Sequence, residues 1–192
     1  MVENIRFLQL KFPLSDRILA HMKILLCNDD GIYADGIGAL RQALDGCGEL
    51  CVVAPDVERS AAGHAITLSD PIKTFAVERD GKPFGTAVGG TPADCIKLAC
   101  CFLMKDDPPD LVVSGINLGS NTGISVLYSG TVSAASEAVV LGAQGIAFSL
   151  CTYQNPHWET AQKVAREVVE KVLKNPLPPG TLLNVNIPNI PI

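Results

Sequence analysis

The sequence has 192 residues, of which 47% are hydrophobic and 18% are charged. This length and composition predict one globular domain with a sizeable core, and they exclude a disordered or fibrous chain. The net charge of -5 argues against binding to a nucleic acid polymer, which needs many basic side chains, and no apolar run approaches the ~20 residues of a membrane-spanning helix.

Seven cysteines are present, mostly within apolar runs, and the sequence has no Cys-x-x-Cys pair. Such a pair would be expected at a zinc site or a redox motif. We therefore expect the cysteines to be small buried side chains of a protein in the reducing cytoplasm.

Residues 1–21 mix charged side chains into short apolar pieces and lack both the apolar core and the cleavage site of a signal peptide. A second methionine, Met22, directly precedes the first convincing strand. We expect 1–21 to be a tag or an upstream extension, and 22–192 to form the domain.

Apolar runs and helical spacing alternate through the rest of the chain. They predict strands at 23–27, 50–54, 72–77, 84–88, 111–113, 145–150 and 181–187, and helices at 37–44, 91–104, 133–141 and 157–173. The alternation indicates a three-layer α/β fold, Rossmann-like, with a mainly parallel sheet flanked by helices. The runs 72–77 and 84–88 surround the turn Asp80-Gly81 and predict a small antiparallel hairpin at the sheet edge.

Polar segments follow three of these strands: NDDG after 23–27, ERS in the loop after 50–54, and SGIN after 111–113. The carboxyl ends of parallel strands meet at one edge of a sheet. Two carboxylates, a hydroxyl and a carboxamide would gather there, and such oxygen donors suit Mg²⁺, Mn²⁺ or Ca²⁺. The pattern predicts a metal-assisted hydrolase of phosphate esters, although an acidic pair in a turn, taken alone, is more often one helix-capping and one solvated aspartate.

The segment from Asn117 to Thr131 is rich in small and amide residues and leads into the predicted helix 133–141. Its backbone N–H groups and the helix N-terminus could bind a phosphate. A flexible turn with a Ser/Thr cap would have a similar sequence.

Three other α/β classes fit the sequence poorly. A response-regulator receiver needs a phosphorylatable Asp where this chain has SGIN, and a haloacid-dehalogenase-type phosphatase needs Asp-x-Asp where it has adjacent Asp29 and Asp30. A dinucleotide-binding fold needs Gly-x-Gly-x-x-Gly after the first strand, which is absent there.

At these residues the chain resembles the SurE, or survival protein E, family of metal-dependent nucleotidases. The resemblance spans Lys23 to Pro188 and rests on the stretches KILLCNDDGIYADGI, VVAPDVERSAAGHAIT, GTPADCIKL, PDLVVSGINLGSNTG, YSGTVSAASEA and LLNVNIP. It implies one divalent cation per subunit, Mg²⁺ or Mn²⁺, with Ca²⁺ as a substitute in crystals. The implied cation ligands are Asp29, Asp30, Ser60 and Asn117, with Asp29, Asp30 and Asn117 as the catalytic residues. The implied neighbours of the substrate phosphate are Asn121, Ser129, Gly130 and Thr131.

The resemblance further implies hydrolysis of 5′- and 3′-nucleoside monophosphates, with short polyphosphate as an additional substrate, by a cytoplasmic homodimer or homotetramer. The alternative is a catalytically weak nucleotide-binding or regulatory module with the same pocket. This chain has Asp35 where the family usually has proline and Ala61 where it usually has glycine. Family members continue beyond the point where this sequence stops, so we expect 22–192 to lack the C-terminal part of the family fold.

Overall fold

A seven-stranded sheet forms the centre of the protein, described here from a computed structural model of residues 21–192. The strands are β1 (Lys23–Cys27), β2 (Glu49–Pro55), β3 (Thr74–Arg79), β4 (Lys82–Val88), β5 (Leu111–Leu118), β6 (Gln144–Leu150) and β7 (Leu182–Ile187). Their order is β3-β4-β2-β1-β5-β6-β7, and all neighbouring pairs are parallel except β3 with β4. The predicted parallel sheet with an antiparallel hairpin at its edge is confirmed, while the expected extension 1–21 lies, except for His21, outside the described residues.

Four helices cover this sheet: α1 (Asp35–Ala43), α2 (Pro92–Leu98), α3 (Gly130–Val140) and α4 (Trp158–Lys174). Helix α1 packs with α4, and α2 packs with α3. Both faces of the central strand are covered, because the four consecutive residues from Ile24 to Cys27 are completely buried and successive side chains of a strand point to opposite faces. This burial confirms the three-layer α/β architecture. Within residues 21–192, no helix has the length and apolar character needed to span a bilayer.

Helix α2 begins as its sequence predicts. The Thr91 hydroxyl accepts a hydrogen bond from the Asp94 amide, the Asp94 carboxylate accepts one from the Thr91 amide, and Pro92 is the first helical residue. This capping box fixes the start of the helix. The predicted single helix to about residue 104 is instead divided, since the α-helix ends at Leu98 and a π-helical turn, Ala99–Leu103, follows.

Two other boundaries differ from the prediction, and both lie near the candidate site. Strand β5 extends to Leu118, so the SGIN segment is the end of the strand rather than a loop after it; Asn117 pairs with Ser149 beyond an irregularity that begins at Ser114. Helix α3 begins at Gly130 instead of 133, because the Ser129 hydroxyl accepts a hydrogen bond from the Val132 amide and caps the helix earlier. Gly130 and Thr131, which both contact Asp29 after β1, are therefore part of the first turn of α3 rather than of the loop before it.

Candidate active site

A cleft of about 260 Å³ lies where the strand order reverses, at the carboxyl ends of β1 and β5. Open α/β sheets bind their ligands at such a position. The cleft is lined by five of the eight predicted site residues: Asp29, Ser60, Asn117, Asn121 and Ser129. A larger groove of about 470 Å³ lies at the amino end of β2, between residues such as Arg41 and Phe84, and is lined by none of the eight.

Asp29 follows β1 and is almost completely buried, with 6% of its surface exposed. The Thr131 hydroxyl donates a hydrogen bond of 2.6 Å to Asp29 Oδ1. Gly130 lies against the same carboxylate, because a Cβ atom at position 130 would be 2.9 Å from Asp29 Oδ2. The side chain of Thr131 is thus bound to Asp29 and completely buried, whereas the resemblance implies that it lies beside the substrate phosphate.

Asp30 is half-buried and lies next to the cleft rather than in its wall. Burial, together with the charges of Asp29 and Glu58, raises the pKa of Asp30 to about 7. Burial also raises the pKa of Asp29, although its hydrogen bond from Thr131 acts in the opposite direction. A cation at this point would relieve the repulsion between these carboxylates and favour their ionised forms.

Ser60 reaches the cleft from the loop that follows β2. This loop is joined to the end of β1, because the Arg59 amide donates a 2.7 Å hydrogen bond to the carbonyl of Asp29. The Ser60 hydroxyl donates to Glu58 Oε1 at 2.6 Å. The next residue, Ala61, has a left-handed backbone with φ of 56°.

Asn117 and Asn121 form the opposite wall of the cleft. The Asn117 side-chain nitrogen donates to the carbonyl of Gly119 at 2.7 Å, so its amide oxygen is the atom suited to bind a cation. The Asn121 side-chain nitrogen donates to the Ser149 hydroxyl at 2.9 Å. These contacts fix both amide groups at the edge of the sheet.

Two further asparagines support Asn121, and the sequence reasoning missed them. Asn186 Oδ1 accepts a 2.8 Å hydrogen bond from the Asn121 amide, and the side-chain nitrogens of Asn184 and Asn186 donate to the Asn121 carbonyl. The signal for them is the Asn-Val-Asn spacing in the last strand, since residues two apart in a strand share one face.

A second missed group lies on the side of α3. Glu137 is buried and accepts hydrogen bonds from His64 Nε2 at 2.7 Å and from Lys97 Nζ at 2.8 Å. His64 follows Ser60 in the same loop, and Lys97 lies on α2. The trio therefore joins the Ser60 loop to two helices.

The donor atoms of the cleft fit a hard divalent cation. They are carboxylate, hydroxyl and amide oxygens, which Mg²⁺ and Mn²⁺ prefer. No group of three or more His, Cys, Asp or Glu side chains suited to a metal occurs between residues 21 and 192, and the candidate set has only two carboxylates. In the same range, Asn28 Oδ1 and Ser114 Oγ are among the buried side-chain atoms without a hydrogen-bond partner, and a bound ion or water is one of the explanations for such an atom.

Comparisons with known proteins agree on one family. The family model described as Survival protein SurE matches residues 24–192. The 5′-nucleotidase SurE of Syntrophobacter fumaroxidans is 50% identical over 170 residues, covering 88% of this chain and 68% of the relative. That of Carboxydothermus hydrogenoformans is 51% identical over 176 residues, covering 89% and 66%.

A solved structure supports the same conclusion. The crystal structure of the SurE protein from Aquifex aeolicus has a TM-score of 0.82 and 45% sequence identity to this chain, covering 88% of this chain and 67% of the other. The chain spans about two thirds of the length of the curated relatives that it matches.

Proposed function

The chain belongs to the survival protein SurE family, and on that premise we propose that it is a metal-dependent phosphomonoesterase acting on nucleoside 5′- and 3′-monophosphates. The name 5′-nucleotidase, which relatives about 50% identical to this chain carry, supports the proposal. The observation that carries it is the cleft at the end of β1, which brings the Asp29 carboxylate, the side chains of Ser60, Asn117 and Asn121, and the N-cap of α3 together. Short polyphosphate is a second substrate class under the same proposal.

The proposed cation ligands are Asp29, Asp30, Ser60 and Asn117, around one Mg²⁺ or Mn²⁺ ion. A bound divalent cation supplies a Lewis acid that polarises the phosphoryl oxygens and lowers the pKa of a bound water. The hydrogen bond from the Arg59 amide to the Asp29 carbonyl keeps the Ser60 loop next to the Asp29 segment, which supports the grouping of these ligands.

The first turn of α3 would bind the phosphate group. The positive end of its dipole favours an anion at this point, although the Val132 amide already donates to Ser129 Oγ and the Asp29 carboxylate packs on the same turn. Ser129 and Asn121 line the same cleft, and N–H donors between Asn117 and Thr131 would stabilise the charge that develops on the equatorial oxygens.

The assembly and location of the protein are further parts of the proposal. We propose a homodimer or homotetramer, as the family resemblance implies. All seven cysteines are free thiols, although Cys101 and Cys151 are exposed rather than buried as expected. Free thiols support the cytoplasm as the compartment, because disulfides are rare there.

Phosphate release from AMP, GMP and p-nitrophenyl phosphate tests the activity directly, with Mn²⁺, with Mg²⁺ and with EDTA. We expect release with either metal and none with EDTA. Asp29→Asn removes the negative charge of the most buried ligand, and we expect it to lower the rate by about 100-fold or more. Asp106→Asn changes an exposed aspartate in the loop that leads into the amino end of β5; it is the matched control and should keep the full rate.

Two outcomes would contradict this proposal. Full activity of Asp29→Asn would remove that carboxylate from the reaction. Nucleotide binding without phosphate release, under all metal conditions, would favour the nucleotide-binding or regulatory module instead.

A further inference from the structure

Thr131 makes a contact that a phosphate-binding residue would not need. Its hydroxyl donates a 2.6 Å hydrogen bond to Asp29 Oδ1, across 102 residues of sequence. Thr131 is completely buried, and Asp29 nearly so. Hydrogen bonds from a hydroxyl to a carboxylate have this short length and are roughly twice as strong as neutral ones.

The backbone around Thr131 is held firmly at this position. The Ser129 hydroxyl caps the helix through the Val132 amide, and the Ser133 hydroxyl donates to the Gly130 carbonyl at 2.8 Å. Gly130 itself is so close that a Cβ atom there would be 2.6 Å from the Asp29 Cβ. The first turn of α3 thus packs directly on the Asp29 side chain and restricts its rotation.

These contacts hold the whole carboxylate in one orientation. Oδ1 accepts the threonine hydroxyl and Oδ2 lies close to Gly130, while Asp29 is still one of the residues that line the cleft. A carboxylate held in this way binds an ion without first losing rotamer freedom.

We propose that Thr131 is a positioning residue, whose hydroxyl holds the Asp29 carboxylate in the orientation that binds the divalent cation. This inference rests on the metal site of the proposed function. It assigns the Thr131 side chain to the carboxylate rather than to the substrate phosphate, so it predicts a change in metal affinity rather than in substrate affinity.

Mn²⁺ binding to the full chain, followed by the electron paramagnetic resonance signal of the free ion, tests the proposal without any substrate. Thr131→Val keeps the shape of the side chain and removes the hydroxyl, so we expect its Mn²⁺ dissociation constant to rise by about 10- to 100-fold. Thr131→Ser keeps the hydroxyl and should bind Mn²⁺ nearly as tightly as the unchanged chain.

Thr67→Val is the matched control, because the Thr67 hydroxyl also donates to a buried aspartate, Asp94 Oδ2, at 2.7 Å but outside the cleft. Its Mn²⁺ affinity should stay unchanged. If Thr131→Val does not fold, Thr131→Ala replaces it as the variant without a hydroxyl. We then expect a higher Mn²⁺ dissociation constant for Thr131→Ala than for Thr131→Ser, which keeps the hydroxyl.

Kinetics separates the two roles of the side chain. With Mn²⁺ at saturation, we expect the KM of Thr131→Val for AMP to stay close to that of the unchanged chain. Unchanged Mn²⁺ affinity with a raised KM would overturn the proposal and return Thr131 to the phosphate, and so would a serine variant as weak in Mn²⁺ binding as valine. Tight Mn²⁺ binding without any phosphate release would refute the nucleotidase activity and leave the role of Thr131 intact.

Discussion

At the scale of single residues, the loop that carries Ser60 contains an alanine in a backbone conformation that favours glycine. Ala61 has φ of 56°, and a left-handed conformation costs a residue with a Cβ atom about 1–2 kcal/mol. Glycine avoids this cost but loses more conformational entropy on folding.

We therefore expect Ala61→Gly to raise the free energy of unfolding by about 0.5–1 kcal/mol, measured by urea denaturation. Ala62→Gly is the control, since Ala62 has no such backbone and should lose stability instead. A destabilised Ala61→Gly variant would show that the alanine is not strained.

Individual site residues differ in how far their roles could be predicted from the sequence. Asp29 and Asn117 follow or end buried strands in distinctive motifs, and the structure brings both to one cleft. The contact of Thr131 with Asp29 was not predictable, because it depends on the helix beginning at Gly130, which the Ser129 cap decides. The support of Asn121 by β7 likewise depends on which strand pairs with β6.

At the scale of elements, the packing of α1 on β5 controls the position of Asn117. Gly36 lies so close to this strand that a Cβ atom would be 2.0 Å from the carbonyl oxygen of Ile116. Backbone atoms of a central strand cannot move away without disturbing the sheet.

We expect Gly36→Ala to lower the free energy of unfolding by about 1–3 kcal/mol and to weaken Mn²⁺ binding. Gly38→Ala is the matched control on the same helix, because its nearest neighbour is a side-chain atom, Arg79 Nη1, rather than the backbone of a strand; it should lose less stability than Gly36→Ala. Scanning calorimetry measures the stability of both variants, and titration calorimetry measures their Mn²⁺ binding. A Gly36→Ala variant as stable as the unchanged protein would contradict the close packing.

The Glu137 contacts join α2, α3 and the Ser60 loop, and they make stability depend on pH. Burial opposes ionisation of Glu137, but hydrogen bonds from Lys97 and His64 outweigh it and lower the pKa of this carboxyl. A lowered pKa in the folded state stabilises the protein above the unfolded value of about 4.3, and this stabilisation is lost as pH falls through the folded pKa.

We expect Glu137→Gln to lower the free energy of unfolding by about 1–2 kcal/mol near neutral pH. The difference from the unchanged protein should shrink as pH falls below about 4.3. Glu167→Gln, an exposed position on α4, is the control and should show no such effect. A difference that stays constant between pH 7 and pH 3 would contradict the assigned contacts.

Most elements could be predicted because their apolar runs and caps are local signals. The two strands of the hairpin are examples, and their observed bounds differ from the prediction by at most two residues at each end. The capping box likewise predicts where α2 begins, although not where it ends. The length of β5 was missed because Ser114 and Gly115 interrupt its apolar run, while pairing with β6 continues to Leu118. Pairing between distant strands overrides the local signal there.

At the scale of the whole molecule, the strand order explains why distant motifs meet. Strand β1 lies between β2 and β5, so the segments that follow these three strands converge at one edge. The Ser60 loop, the Asp29 segment and the end of β5 are thereby neighbours, although Asp29 and Asn117 are 88 positions apart in the sequence. The fold supplies the cleft, and the motifs supply its oxygen atoms.

The most direct test of the account is the anomalous scattering of a crystal of this chain grown with Mn²⁺. We predict one manganese peak per chain within bonding distance of oxygen atoms from Asp29, Asp30, Ser60 and Asn117. A peak elsewhere, or no peak in the cleft at a saturating Mn²⁺ concentration, would contradict it.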